Sequence, residues 1–267
     1  MRARSVPFAL VLLLAGAVPA AHAQASADRA RLTFGMGLGY SGGSGLWTQP
    51  GQELLDYLNQ ADTATIAKEV RPSLGIVFLG AYFPNDHWGL TGEAHLVGLK
   101  YQDACRLVTN SGSSQNKAIC DNLQGRSHPG TAVTLSVGAI FRLAPREVVS
   151  PYLRANVGIN ISQTSSIQTI GTWNHPVNGE EDYVVYDDPT PRTVTPAFAF
   201  GGGFTTKAGA ASQFRFEARD NLIFLDKVIG TSAYPGAVPP HKVGATHILS
   251  ITLGLEIVLE RRRGRRY

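Results

Sequence analysis

Eight stretches of this chain place apolar residues at every second position, and the connections between them are alternately long and short. A period of two is that of a β-strand, whose successive side chains point to opposite faces. The clearest unit is Val70–Tyr101, which reads as two strands folded about Pro84-Asn85-Asp86-His87. Its first arm puts Val70, Leu74, Ile76, Phe78 and Tyr82 on one face and Arg71, Ser73, Gly75 and Val77 on the other. The second arm sets Trp88, Leu90, Ala94 and Leu96 against Thr91, Glu93 and His95. Tyr82 and Trp88 flank the turn on the apolar face, where aromatics stand in barrels that cross a membrane.

The same pattern recurs along the chain. The first strand is Arg31–Tyr40, with Leu32, Phe34, Met36, Leu38 and Tyr40 opposed to Thr33, Gly35, Gly37 and Gly39. Later strands are expected at Ala132–Leu143, Ser150–Ser162, Thr193–Thr206, Gln213–Phe224 and Ala245–Leu259, each alternating in the same way. With the two arms of the hairpin they make eight. The connections run long at 41–69, short at 84–87, long at 102–130, short at 144–149, long at 163–192, short at 207–212 and long at 225–244. Inside the first long connection, Leu54, Leu55 and Leu58 have helical spacing and predict a short amphipathic helix over Gln52–Ala61.

The chain start has another purpose. Arg2 and Arg4 precede the apolar run Val6–Val18, and Ala21-His22-Ala23 is a small-x-small cleavage pattern. Residues 1–23 are therefore expected to be a signal peptide, with a mature barrel over 24–260 and a basic tail over 261–267. The apolar run is too short for a spanning helix, and later apolar stretches are no longer. An exported chain of this kind crosses a membrane only as a closed barrel. Cys105 and Cys120, both in one polar connection, are expected to pair in an oxidising compartment. By chain entropy such a ring adds roughly 3 kcal/mol. The net charge of +4 is supplied by the tail arginines 261, 262, 263, 265 and 266, so no nucleic-acid partner is implied.

Alternation alone also suits a soluble up-and-down barrel of the lipocalin kind, with its apolar face inward. Two features favour lipid. The less apolar face is lined by small residues (Gly35, Gly75, Ser136, Gly138, Gly158, Gly201, Gly203, Thr252, Gly254), which suit a cramped interior rather than a solvated surface. The apolar face carries Phe34, Tyr82, Trp88, Phe141, Phe204 and Phe214 near the short-turn ends, an aromatic girdle. Long loops on one rim and tight turns on the other complete a pattern that resembles the small eight-stranded outer-membrane β-barrel family, the OmpA/OmpX type. The resemblance extends to segments such as Pro151-Tyr152-Leu153-Arg154-Ala155 and Arg215-Phe216-Glu217-Ala218-Arg219. It implies an all-β, antiparallel, up-and-down transmembrane barrel in the outer membrane, with short periplasmic turns and long extracellular loops. Its partners would be outer-membrane lipid, the barrel-assembly machinery during biogenesis, and an extracellular ligand on the loops. The family commonly ends on a terminal aromatic; here Tyr267 is aromatic, but Arg263 and Arg265 stand where apolar residues are expected.

On the inner face the expected ionic set is Arg71, Glu93, His95, Arg142, Arg154, Arg215, Glu217, Arg219 and Glu256. Charges in a narrow, poorly hydrated interior must pair or destabilise the fold. They are expected to form a salt-bridge network that plugs the barrel; the alternative is a narrow polar path for small solutes. On the long-loop rim, Asp103, His128, His175, Glu180, Asp182, Asp187, Asp188, Asp226, His241 and His247 are the titratable groups. Their spacing unites no acid–base or nucleophile–base set, so neither a loop-rim enzyme acting on lipid A or peptides nor a cofactor or metal is expected. Gly201-Gly202-Gly203 lies in a strand with no following helix and is no phosphate loop.

Overall fold

The computed structural model describes residues 29–109, 111–209 and 211–262; the expected signal peptide and the end of the basic tail lie outside the described residues. In chain order the elements are β1 (Arg29–Gly42), β2 (Gly45–Leu55), β3 (Ala61–Arg71), β4 (Ser73–Tyr82), β5 (Trp88–Gly98) and β6 (Lys100–Leu107). They continue with α1 (Ser114–Leu123), β7 (Ser127–His128), β8 (Thr131–Arg142), β9 (Val149–Ser162), β10 (Thr169–His175) and β11 (Gly179–Tyr186). The chain ends in β12 (Val194–Lys207), β13 (Ser212–Val228) and β14 (His241–Arg262). Eight strands, in the order β1-β14-β13-β12-β9-β8-β5-β4, form a closed barrel. Every barrel pairing is antiparallel, and β1 meets both β14 and β4, which shuts the ring. No sheet edge is left in it.

Register places the apolar set outside. Leu38, Leu74 and Leu253 are 69%, 74% and 62% exposed, whereas Glu93, Arg154, Glu217 and Arg219 on the opposite face are buried. The expected girdle residues Phe34, Tyr82, Trp88, Phe204 and Phe214 are exposed on this outer face, and half-buried Phe141 packs on Trp88 with ring centroids 4.8 Å apart. The interior needs its small residues. A Cβ on Gly203 would stand 1.9 Å from the carbonyl oxygen of Phe216 and 2.8 Å from the Tyr152 hydroxyl. Only glycine leaves room for the Tyr152 ring at that level.

The long connections are not the polar loops that the sequence suggests. Three of the four fold into a cap, a four-stranded sheet in the order β2-β3-β6-β7, the β10-β11 hairpin, and α1 packed beside them. The fourth, between β13 and β14, carries no helix or strand over 229–240. The helix expected over 52–61 is instead the end of β2, a tight turn and the start of β3. Turn chemistry decides this against helical spacing. Asp56 Oδ1 accepts hydrogen bonds from the backbone N–H of Leu58 (2.8 Å) and Gln60 (2.7 Å), and Asn59 takes a positive φ of 58°. Both habits belong to Asp and Asn in turns. Leu54 is then fully buried while Leu58 is exposed.

The arms of the hairpin over 70–101 are likewise interrupted. Proline has no N–H for a ladder, and Pro72 separates β3 from β4. Val70, Arg71 and Tyr101 consequently belong to the cap sheet, where Val70 opposes Tyr101 and Arg71 opposes Lys100. At the chain end, β14 runs on to Arg262, two residues into the expected tail.

Cap and barrel share one core. Leu54, Ile66, Tyr101, Ile119, Leu123 and Tyr186 from the cap are contiguous with Val97, Ala132, Ala197, Ile223 and Ile248 from the upper inner face of the barrel. Burial of each large side chain is worth about 1.5–3 kcal/mol. Ser113 caps α1 by accepting from Asn116 N, and the buried helix face carries Ile119, Cys120 and Leu123. The expected Cys105–Cys120 disulfide is present and joins that face to β6. Replacing both cysteines with serine should therefore loosen the cap selectively. Limited proteolysis is expected to cut within 102–130 at least tenfold faster, corresponding to a local loss of roughly 1.5–3 kcal/mol, while heat-modifiable gel mobility, the mark of the closed barrel, stays unchanged.

Candidate functional site

Two clusters of charged residues are built by this architecture, one inside the barrel and one in the cap. Inside, Glu93 on β5 faces Arg154 on β9 and Arg219 on β13. Arg154 Nη2 donates to Glu93 Oε2 at 2.6 Å and to Glu217 Oε1 at 2.7 Å. Arg219 Nη1 lies 2.6 Å from Glu93 Oε1 and 3.6 Å from Glu217 Oε1. Arg215 pairs with Glu217 and donates from Nη1 to Glu256 Oε1 at 2.9 Å. Neutral groups complete the shell: the Tyr152 hydroxyl donates to Glu217 Oε2 at 2.8 Å, and Gln213 Nε2 donates to Glu256 Oε2 at 2.5 Å. Arg219 Nη2 lies 2.9 Å from His95 Nδ1. Each of these charged side chains is at least nine-tenths buried. Charge-assisted bonds of this length are the strong class, and they offset desolvation because each carboxylate meets more than one donor.

Below this layer the short-turn end is closed differently. Phe83, Ala81, Ile140 and Tyr152 form a small apolar cluster. The Arg142 guanidinium stacks on Phe83, 3.3 Å from the ring centroid, a cation–π contact. Above the ionic layer come Val97, Ile223 and Ile248, then the cap. The spaces left are small: a void of about 20 Å³ lined by Glu93, Arg154, Arg215 and Glu217, and one of about 30 Å³ lined by His95, Thr134, Ser136 and Asn221. Each has room for about one or two waters.

Of the nine residues expected on the inner face, Arg71 is a correction. It lies in β3, outside the barrel, about half exposed, and pairs with Glu69 on the surface at 3.1 Å. The break at Pro72 is the reason, since it hands residues 70 and 71 to another sheet. The other eight are buried on the inner face.

The rim residues need one correction too. Although nothing in their spacing unites them, β6 and β7 pair Tyr101 with His128 and bring Asp103 beside the imidazole. His128 Nε2 lies 2.8 Å from Asp103 Oδ2, and the buried Lys68 ammonium lies 3.2 Å from Asp103 Oδ1. Lys68 also donates to the Gln168 carbonyl at 2.5 Å and sits 5.8 Å from the Trp47 ring centroid. Burial holds its pKa below the ordinary lysine value, against the opposing pull of Asp103. Lys68 was not singled out from sequence; its alternation with Ile66 and Val70 in a strand is the signal that would have found it. Elsewhere on the rim, Arg192 Nε lies 3.5 Å from Asp226 Oδ2, Ser165 bonds Asp188, and His247 Nδ1 lies 2.6 Å from Asp220 Oδ2. His175 stands 5.0 Å from Trp173 between ring centroids, and Trp173 stacks on Tyr57 at 5.9 Å. The structure gathers no group of three His, Cys, Asp or Glu fit to hold a metal ion among the described residues.

A closed barrel with an apolar outside and an ionic inside is the architecture of a transmembrane β-barrel. No family model and no curated protein matches the chain. Among solved structures it is similar to Neisserial surface protein A, at 9% identity and a TM-score of 0.44, over 85% of this chain and 97% of that one. It is similar also to Ail, the attachment invasion locus protein of Yersinia pestis (13%, TM-score 0.38, 89% of this chain and 99% of that one). A third is the outer membrane protein OprG from Pseudomonas aeruginosa (12%, TM-score 0.40, 90% and 97%).

Removing one carboxylate from the ionic layer strands its arginines. Glu217→Gln is expected to cost about 3–5 kcal/mol, read as a lower urea midpoint for the vesicle-inserted protein. Arg71→Ala, which breaks an exposed pair, should cost about 0–1 kcal/mol in the same assay.

Proposed function

We propose that the protein is an integral outer-membrane barrel with a structural and surface-interaction role, its lumen plugged and its cap turned outward to the medium. The observation that carries this reading is the threefold closure of the interior. Phe83 and Arg142 seal the short-turn end, the Glu93–Arg154–Glu217–Arg219 layer fills the middle, and the shared apolar core covers the mouth. Such closure argues against conduction of small solutes, because a permeant would have to displace paired buried charges. The apolar belt argues for lipid: side chains as exposed as those of Leu38, Leu74 and Leu253 are costly in water and ordinary in a bilayer.

The cap supports a surface role. It is an ordered, disulfide-linked unit with Tyr57 and Val177 displayed on its surface, 57% and 85% exposed. A catalytic role has less support, since the His128–Asp103 pair shares its carboxylate with the Lys68 ammonium.

In planar bilayers the purified protein should give no steady single-channel steps; their appearance overturns the plugged reading. Spin labels at Leu135 and Leu253 should sense acyl chains while one at Ser136 does not, and the reverse pattern overturns membrane insertion altogether. A peptide tag inserted after Asn178 should be detected by antibody on intact cells, and one inserted after Asn85 only after permeabilisation.

A further inference from the structure

On the outer face of the barrel, β13 alternates Phe214, Phe216, Ala218, Asp220, Leu222 and Phe224, so a carboxylate stands in an apolar file. Its neighbours across the sheet are Phe200 on β12 and Leu249 on β14, 60% and 65% exposed. One turn of the pleat higher, His247 opposes Leu222 and sets its Nδ1 2.6 Å from Asp220 Oδ2. The imidazole is 66% exposed and the Asp220 side chain 15%, and Asp220 Oδ1 is buried with no hydrogen-bond partner. Level with the imidazole the outer face continues with Leu222 and Phe198, and one step higher with Ala245 and Phe224; above these Val243 stands opposite Asp226. Ionisable groups on a lipid-facing surface are expensive, and a pair held there calls for a function.

Height narrows what the pair meets. Ten residues separate His247 from Ile257, an exposed outward residue of the same strand that pairs with the girdle residue Phe34. At ~3.3 Å per residue and a tilt of about 40°, that is a rise of about 25 Å. The apolar band of such barrels is about 25 Å tall. His247 therefore stands at the upper boundary of the hydrocarbon, where lipid acyl linkages lie, with Asp220 just below it.

Ring geometry narrows it further. His247 Nδ1 is taken up by Asp220 Oδ2 at 2.6 Å, so Nε2 is the ring nitrogen left for an outside partner, and it donates there when it carries a ring proton. We infer that the His247–Asp220 pair is a lipid-binding site in which the His247 Nε2–H donates a hydrogen bond to the acyl carbonyl oxygen of a lipid in the leaflet beside the cap. This assignment rests on the membrane reading above. The outer-face neighbours across the sheet, Phe200, Leu222 and Leu249, are apolar, and the Lys227 ammonium above them is engaged by the Ala245 carbonyl at 2.7 Å, so phosphate is the competing ligand that the test separates.

The test uses the mature chain, labelled with ¹⁵N-histidine, in nanodiscs of dimyristoyl phosphocholine and of its di-O-tetradecyl ether analogue, which keeps the headgroup and lacks the carbonyls. The His247 signal is assigned by its loss in His247→Gln. The expected result is an Nε2–H proton resonance shifted downfield in the ester lipid relative to the ether lipid, with a matching lowered C=O stretch of carbonyl-labelled ester lipid that His247→Phe, which has no donor, abolishes. A resonance in the same place in both lipids means that the ring meets phosphate or water, and overturns the assignment while leaving the barrel in the membrane. A chain that enters neither nanodisc overturns the membrane reading and this site with it.

Discussion

Charge placed inside a narrow barrel has to be neutralised where it stands, because neither water nor movement is available to do it. Four arginines (142, 154, 215 and 219) and three glutamates (93, 217 and 256) share the interior of this chain. The solution is multiplicity: Glu93 serves two arginines and Glu217 three, with the Tyr152 hydroxyl added. In the ring, β5 and β13 lie on opposite sides, so the Glu93–Arg219 pair ties one wall to the other. Cross-bracing of this kind sets the bore as much as strand number does. It also explains the glycines, since long arginine side chains and a tyrosine ring fit only where the facing wall is bare.

The second constraint is the mouth. An open barrel end would expose Val97, Ile223 and Ile248 to solvent; the cap lays its own apolar residues onto them. Three ties hold it in place besides the core. Trp47 Nε1 donates to the Ser166 carbonyl at 2.9 Å, Tyr183 accepts from Leu55 N at 2.9 Å, and Gln52 exchanges two 2.9 Å bonds with Ser232. The segments so joined come from three of the four long connections. Through the shared core the cap is one body with the barrel, and the surface it offers is preorganised.

The barrel was legible in the sequence because its signal is periodic and local. Alternation placed all eight strands and put the correct residues inside, from Glu93 to Glu256. What failed were the places where a local rule gave way. Leu54, Leu55 and Leu58 satisfy helical spacing, yet Asp56 and Asn59 make a turn and β2 extends to Leu55. Alternation runs unbroken through Pro72, but the ladder does not, which moved Arg71 to another sheet. The cap was invisible for a different reason. β2 is bulged, with register shifts between Gly45 and Trp47 and between Gln49 and Gln52, so its period is broken. β3 alternates strictly, but its buried file of Asp62, Ala64, Ile66, Lys68 and Val70 mixes charged with apolar residues and does not read as an apolar face. Lys68 meets Asp103 and His128 through pairings across dozens of residues, which spacing cannot foretell. Asp220 goes unremarked in the alternation of β13, although a carboxylate in a file with Phe214, Phe216 and Phe224 is a signal that a reader can count.

The last strand is the longest, and it has two duties. Residues 249–262 of β14 pair with β1 and shut the ring, whereas residues 241–248 rise past the end of β1 and pair with β13 alone. That overhang is a post beside the cap, and Ser44 at the start of β2's connection reaches the His247 carbonyl at 3.4 Å. One segment is therefore keystone to both storeys. Without it the lower storey would have a seam and the upper one would lack a pillar.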